Sequence, residues 1–137
     1  MYKNQKTLSK VIDFEGIGLH SGEKVKIVLT PAALDTGIKF KINKSLIPAT
    51  WKNAIVSQLC TRIKSNNDAI STIEHLMAAI SGLGITNLII KINSNEVPIL
   101  DGSSKEFVEK IKNIGIKEQK KPKKILKILK KVEYKAK

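Results

Sequence analysis

Two histidines, His20 and His75, and one cysteine, Cys60, are the side chains of this 137-residue chain best suited to hold a metal or make a nucleophile. His75 follows Glu74 in the segment STIEHLMAAISGLG. Neighbouring residues at a helix end can share one cleft, so a glutamate there can accept a proton from a water beside a metal held by the histidine. Ala78, Ala79 and Gly82 lie one and two turns beyond His75 and leave room for a close approach. The plainer reading has Glu74 closing a capping box with Ser71 and His75 at the surface, because an adjacent Glu-His pair lacks the two-histidine spacing of HExxH.

His20 lies in GIGLHSG, whose three glycines permit tight turns and close backbone approach to a ligand. That pattern matches neither the dinucleotide fingerprint nor a phosphate-binding P-loop, and a hairpin tip is the simpler expectation. Cys60, in QLCTRI, reads more readily as a small buried hydrophobe than as a nucleophile. The loop NEVPILDGS offers Glu96 and Asp101, but Asp-Gly-Ser is ordinary turn and cap chemistry.

The elements that must position these groups are legible as a change of period. Leu8, Val11 and Phe14 precede the glycine turn, and Val25, Ile27 and Leu29 after it alternate with polar neighbours in the period of a half-buried strand, which predicts a hairpin. Residues 37–43 and the stretch from Val56 to Ile63 alternate likewise, and the polar run at 65–68 breaks the pattern. From Ser71 the spacing turns helical: Ile73, Leu76, Met77, Ile80 and Leu83 form one stripe, Ser71 is the expected N-cap, and glycines close the helix. Ile85–Ile92 predicts a buried strand. A second helix carries Phe107, Val108, Ile111 and Ile114, with a capping-box spacing at Ser103 and Glu106 and Gly115 as its stop. Strands followed by helix, strand and helix predict an α+β two-layer sandwich: a mainly antiparallel sheet with two helices on one face.

Composition narrows the classes. The chain is 42% apolar and 4% aromatic, enough for one core and a poor fit to an aromatic nucleic-acid platform. Of the net charge of +13, ten lysines against Glu118 and Glu133 after residue 116 supply +8, leaving +5 for residues 1–116. Arg62 is the sole arginine, which argues against specific nucleic-acid recognition, since bases and phosphates are read chiefly by the guanidinium fork. A lone thiol and the absence of an apolar run after MYKNQK predict a reducing, cytoplasmic setting, with peripheral membrane contact at most. The segment KKPKKILKILKKVEYK reads equally as an amphipathic surface helix or as a strand.

Taken together, QKTLSKVIDFEGIGLHSGEKVKIVLTPA, LCT at 59–61 and STIEHLMAAISGLGITNLIIKINSNEVPILDGSSKEF resemble, in order and spacing, the N-terminal half of the bacterial UDP-3-O-acyl-N-acetylglucosamine deacetylases. The resemblance implies a hydrolase of lipid A biosynthesis that uses Zn2+ to remove an N-acetyl group from a UDP-linked acyl-glucosamine. It implies Glu74 as general base, His75 as a zinc ligand, and Leu19, His20, Leu59 and Cys60 as substrate-lining residues. It also implies the first half of a two-domain fold, with residues 1–118 as the N-terminal domain and 119–137 as a linker and the first strand of a truncated second domain.

The second half of that family supplies a His-Lys-x-x-Asp helix with the remaining zinc ligands and a general-acid histidine, and no histidine follows His75 here. The expectation is a partial site that a separate C-terminal half would complete, the chain alone being inactive or nearly so. The other reading is a non-catalytic remnant that binds a UDP-sugar, a partner protein or an anionic surface.

Overall fold

The computed structural model describes residues 3–65 and 67–136. The MYKNQK start, the polar break at 65–68 and the chain end therefore extend, at Met1, Tyr2, Asn66 and Lys137, beyond the described residues. The elements in order are β1 (Asn4–Leu8), β2 (Ile12–Ile17), β3 (Lys24–Pro31), β4 (Ile38–Ile42), β5 (Ser45–Pro48), a 3-10 turn (Trp51–Asn53), β6 (Ala54–Ile55), β7 (Arg62–Ser65), β8 (Asp68–Ile70), α1 (Glu74–Gly82), β9 (Leu88–Ile92), α2 (Lys105–Ile114) and β10 (Ile116–Pro122).

The main sheet has five strands in the order β2-β3-β9-β4-β5, antiparallel except between β9 and β4. Its inner face follows from the alternation in the sequence. Ile12 pairs with Leu29, Leu29 with Ile90, Ile90 with Phe40 and Phe40 with Ile47, so one buried residue from every strand lies in a single cross-strand row. Leu76 and Ile80 of α1 and Phe107 and Ile111 of α2 are buried in the same core, and the Phe14 and Phe107 rings pack with centroids 4.9 Å apart. The α+β architecture, with two helices on a mostly antiparallel sheet, is as expected.

Four local expectations change. Residues 56–61 form no strand: β6 and β7 pair only as Ala54 with Ile63 and Ile55 with Arg62, leaving Val56 and Leu59 on an exposed connection where Leu59 takes φ +60°. Alternation without a neighbouring ladder leaves the backbone groups unpaired, and a loop results. The strand expected from Ile85 begins at Leu88, because the backbone N–H groups of Thr86 and Asn87 donate to the Lys6 carbonyl of β1 instead. Ser71 is not an N-cap. It forms a parallel bridge with Glu96, and α1 opens at Glu74 after Ile73, with no side-chain cap. At α2 the cap residue is Ser104, also without a side-chain bond, while the Ser103 hydroxyl accepts the Lys105 N–H and donates to Asp101. Gly115 ends α2 at φ +88°, as its position predicts.

A separate two-stranded ladder joins the beginning of the chain to its last strand, β1 with β10, through Lys6–Glu118, Thr7–Lys117 and Leu8–Ile116. β10 thus crosses the boundary expected at 118 and ends at Pro122. Residues 123–136 form neither helix nor strand, and Leu126, Ile128, Leu129 and Val132 are exposed. Among the described residues no helix is long and apolar enough to cross a membrane.

Candidate active site

The β2–β3 hairpin closes through Gly18–Gly22. The Gly18 N–H donates to the Glu23 carbonyl at 3.0 Å and the Gly22 N–H to the Gly18 carbonyl at 2.9 Å. This turn wraps around a carboxylate from elsewhere in the chain. Glu96 is 3% exposed, and its Oε1 accepts the His20 N–H at 3.0 Å and the Thr72 hydroxyl at 2.9 Å, while Oε2 accepts the Ser21 N–H at 2.8 Å. Burial pushes its acidity toward the neutral form, but hydrogen bonds from His20, Ser21 and Thr72 outweigh it and hold the pKa at about 2. A Cβ at Gly18 would run into the Ser21 hydroxyl and stand 2.5 Å from Glu96 Oε2, so only glycine lets the turn close on the carboxylate.

The same loop aligns the start of α1. The Ser71 N–H donates to the Asn95 carbonyl at 2.9 Å and the Val97 N–H to the Ser71 carbonyl at 3.1 Å. Thr72 turns the chain at φ +57° and Glu74 begins the helix. Glu74 does not close a capping box. Its Oε2 accepts the backbone N–H of Thr61, the residue after Cys60, at 3.0 Å, and its Oε1 makes no hydrogen bond among the described residues. His75 is half-buried and, among the described residues, neither of its ring nitrogens is hydrogen-bonded. Of the small residues near it, Ala78 and Gly82 are exposed, whereas Ala79 belongs to the core.

An open cleft of about 440 Å³ is lined by His20, Ser21, Cys60, Arg62, Ser71 and Glu96, among others. Cys60 is half-buried there, with its sulfur 3.2 Å from the Ser57 hydroxyl. A pocket of about 290 Å³ formed by Trp51, Thr61, Ile63, Ile73, Glu74 and Met77 is largely apolar. The structure thus unites His20 and Cys60 in one cleft and puts Glu74 in the other pocket, tied toward the first through Thr61. His75 lies outside both. Leu19 and Leu59 are exposed beside His20 and Cys60.

Among the described residues no three histidine, cysteine, aspartate or glutamate side chains converge on a point where a metal could sit. Catalytic zinc usually takes three protein ligands. One free imidazole, beside a glutamate already held by a backbone N–H, does not make such a set, so this chain alone does not fit a zinc centre. From the sequence, Glu96 reads only as part of an ordinary turn-rich loop, and nothing in it singles out Thr72. The signal that could have found them is the glycine turn itself, whose clustered N–H groups require an acceptor.

Comparison with known proteins places the chain in a family. The family model described as UDP-3-O-acyl N-acetylglycosamine deacetylase matches residues 5–137. Relatives named UDP-3-O-acyl-N-acetylglucosamine deacetylase include those of Teredinibacter turnerae, 44% identical over 135 residues, Legionella pneumophila, 45% over 130, and Acinetobacter baumannii, 44% over 136. These alignments take in 96%, 92% and 94% of the chain but only 45%, 43% and 44% of the respective relatives, so the chain spans less than half of their length. The glycine turn on Glu96, the Glu74–His75 helix start and the Cys60 loop all fall inside the matched region, and the chain belongs to the UDP-3-O-acyl N-acetylglycosamine deacetylase family.

Proposed function

We propose that this chain forms the N-terminal part of a zinc-dependent deacetylase that removes the N-acetyl group of UDP-3-O-acyl-N-acetylglucosamine in lipid A synthesis. Residues through Pro122 form its first domain, and the following segment leads into a second. The observation that carries the reading is the Glu74–Thr61 hydrogen bond, which draws a carboxylate at a helix start toward the cleft of His20 and Cys60.

Glu74 acts as proton acceptor through Oε1, while Oε2 stays on the Thr61 N–H and fixes the side chain. His75 offers an unengaged imidazole as one metal ligand. Zinc, held by His75 together with ligands of the second half, would supply Lewis-acid polarisation of the amide. Leu19, His20, Leu59 and Cys60 line the approach of the UDP-linked acyl-glucosamine, and the remaining ligands come from a C-terminal half. A second reading, a non-catalytic binding module, is favoured by the lack of a converging ligand set among the described residues.

Acetate release from UDP-3-O-acyl-N-acetylglucosamine separates the two readings. The chain alone is expected to release almost none, and the chain mixed with zinc and a polypeptide carrying the C-terminal half of a relative is expected to be active. In that mixture His75→Ala and Glu74→Ala each lower the rate about 100-fold or more. Undiminished activity of His75→Ala overturns the metal-ligand role, and full activity of the chain alone overturns the site divided between two halves.

A further inference from the structure

We infer that Glu96 is a positioning residue that sets the His20 turn and the Glu74–His75 helix start in fixed relation through one buried carboxylate. The inference rests on the deacetylase reading for what the two segments do, and on geometry for how they are held.

Oε1 of Glu96 is shared between the His20 N–H at 3.0 Å and the Thr72 hydroxyl at 2.9 Å, groups that belong to segments far apart in the chain. Oε2 takes the next N–H of the turn, from Ser21, at 2.8 Å. Two consecutive amides and a hydroxyl thus converge on one anion, the arrangement of a backbone nest around a ligand, with the ligand supplied by the protein. Thr72 stands two residues before Glu74, and Glu74 in turn holds Thr61 beside Cys60. The four segments of the site are linked through two carboxylates, of which only Glu96 is buried.

A glutamine at 96 has the same shape but only one oxygen. Either orientation points its NH2 group at a backbone N–H or at the shared site of His20 and Thr72, so the turn loses at least one partner. Gly18→Ala disturbs the same contact from the other side, because its Cβ would press on both the Ser21 hydroxyl and the Glu96 carboxylate while the glutamate itself is retained.

The test reads position without turnover. A nitroxide on Cys60, the sole cysteine, broadens the His20 ring signals by proximity, and NMR hydrogen exchange follows the His20 and Ser21 amides. Expected in Glu96→Gln are at least tenfold faster exchange at His20 and Ser21, a twofold or greater fall in His20 broadening, and unchanged protection of Leu29 and Ile90. Gly18→Ala reproduces this pattern and decides the matter if Glu96→Gln does not fold. Unchanged His20 broadening and exchange overturn the inference, as does an even loss of protection through the whole sheet. A chain that lacks deacetylase activity leaves these readouts in force, so failure of the functional reading and failure of this inference are told apart.

Discussion

Oε2 of Glu74 accepts the backbone N–H of Thr61 at 3.0 Å, so the first residue of α1 restrains the loop that presents Cys60. A hydrogen bond at an exposed site contributes at most about 1 kcal/mol. Glu74→Gln keeps an acceptor for Thr61 but removes the proposed base. Its thermal midpoint should therefore lie within about 4 °C of wild type, while acetate release in the completed enzyme falls about 100-fold or more. Paired calorimetry and rate measurements check the contrast.

Acid stability should report Glu96. Its pKa is about 2 in the folded chain against an ordinary 4.5. A folded value below the unfolded one means stability that is complete above about pH 4.5 and is lost as pH falls toward 2. The contribution is on the order of 3 kcal/mol. Urea midpoints of wild type and Glu96→Gln should differ by a constant amount near neutrality and converge below pH 4. A gap that stays constant down to pH 2 refutes the assignment.

Asn87 should be intolerant of truncation. It is 1% exposed, its amide donates to Gln5 and Gln119 at 2.7 Å each, and its Oδ1 accepts the Gly37 N–H at 2.9 Å. Asn87→Ala removes all three bonds, and although Gln5 Oε1 keeps the Asp35 N–H, the Gly37 N–H and the Gln119 oxygen lose these partners, which brings the expected loss to roughly 2–3 kcal/mol. Asn87→Asp, which keeps the acceptor and loses both donors, should also be destabilised at neutral pH. Chemical denaturation measures both.

Gly115→Ala should cost about 1–2 kcal/mol, because φ +88° is strained for any residue with a Cβ. The added atom would also press on the Ser9 hydroxyl at 3.1 Å. Urea unfolding provides the value, and a loss no larger than that of an exposed helix substitution counts against the strain.

The features legible in the sequence are those set by local period. The β3 arm of the hairpin, the stripe of α1, the apolar side of α2 and its glycine stop follow from spacing alone, whereas of Leu8, Val11 and Phe14 only Phe14 lies on β2: Leu8 belongs to β1 and Val11 is exposed between the two strands. Ser71 and Glu74 have the right spacing for a capping box, yet each finds a different partner: Ser71 pairs with the strand-like run at Glu96, and Glu74 reaches Thr61. Of the stretch from Val56 to Ile63 only Arg62 and Ile63 are in a strand, β7, because nothing lies beside 56–61 to complete a ladder. Of the site, Glu74 and His75 stand out by type, and His20 by its glycines. Glu96, Thr72 and Asn87 do not, since a buried polar residue is explained only by partners dozens of positions away.

The β1–β10 ladder also sets when the protein can finish folding. Asn4 bonds Glu118 across 114 residues, and closing a loop of that length costs about 4 kcal/mol in chain entropy before the contact returns anything. On the ribosome, β1 must wait for β10 to emerge, and until then Leu8 lacks its partner Ile116 and the Gln5 amide lacks the Pro122 carbonyl. A nascent chain halted before Ile116 is therefore an open, adhesive intermediate, and the clasp makes completion of the domain a single late event in its synthesis.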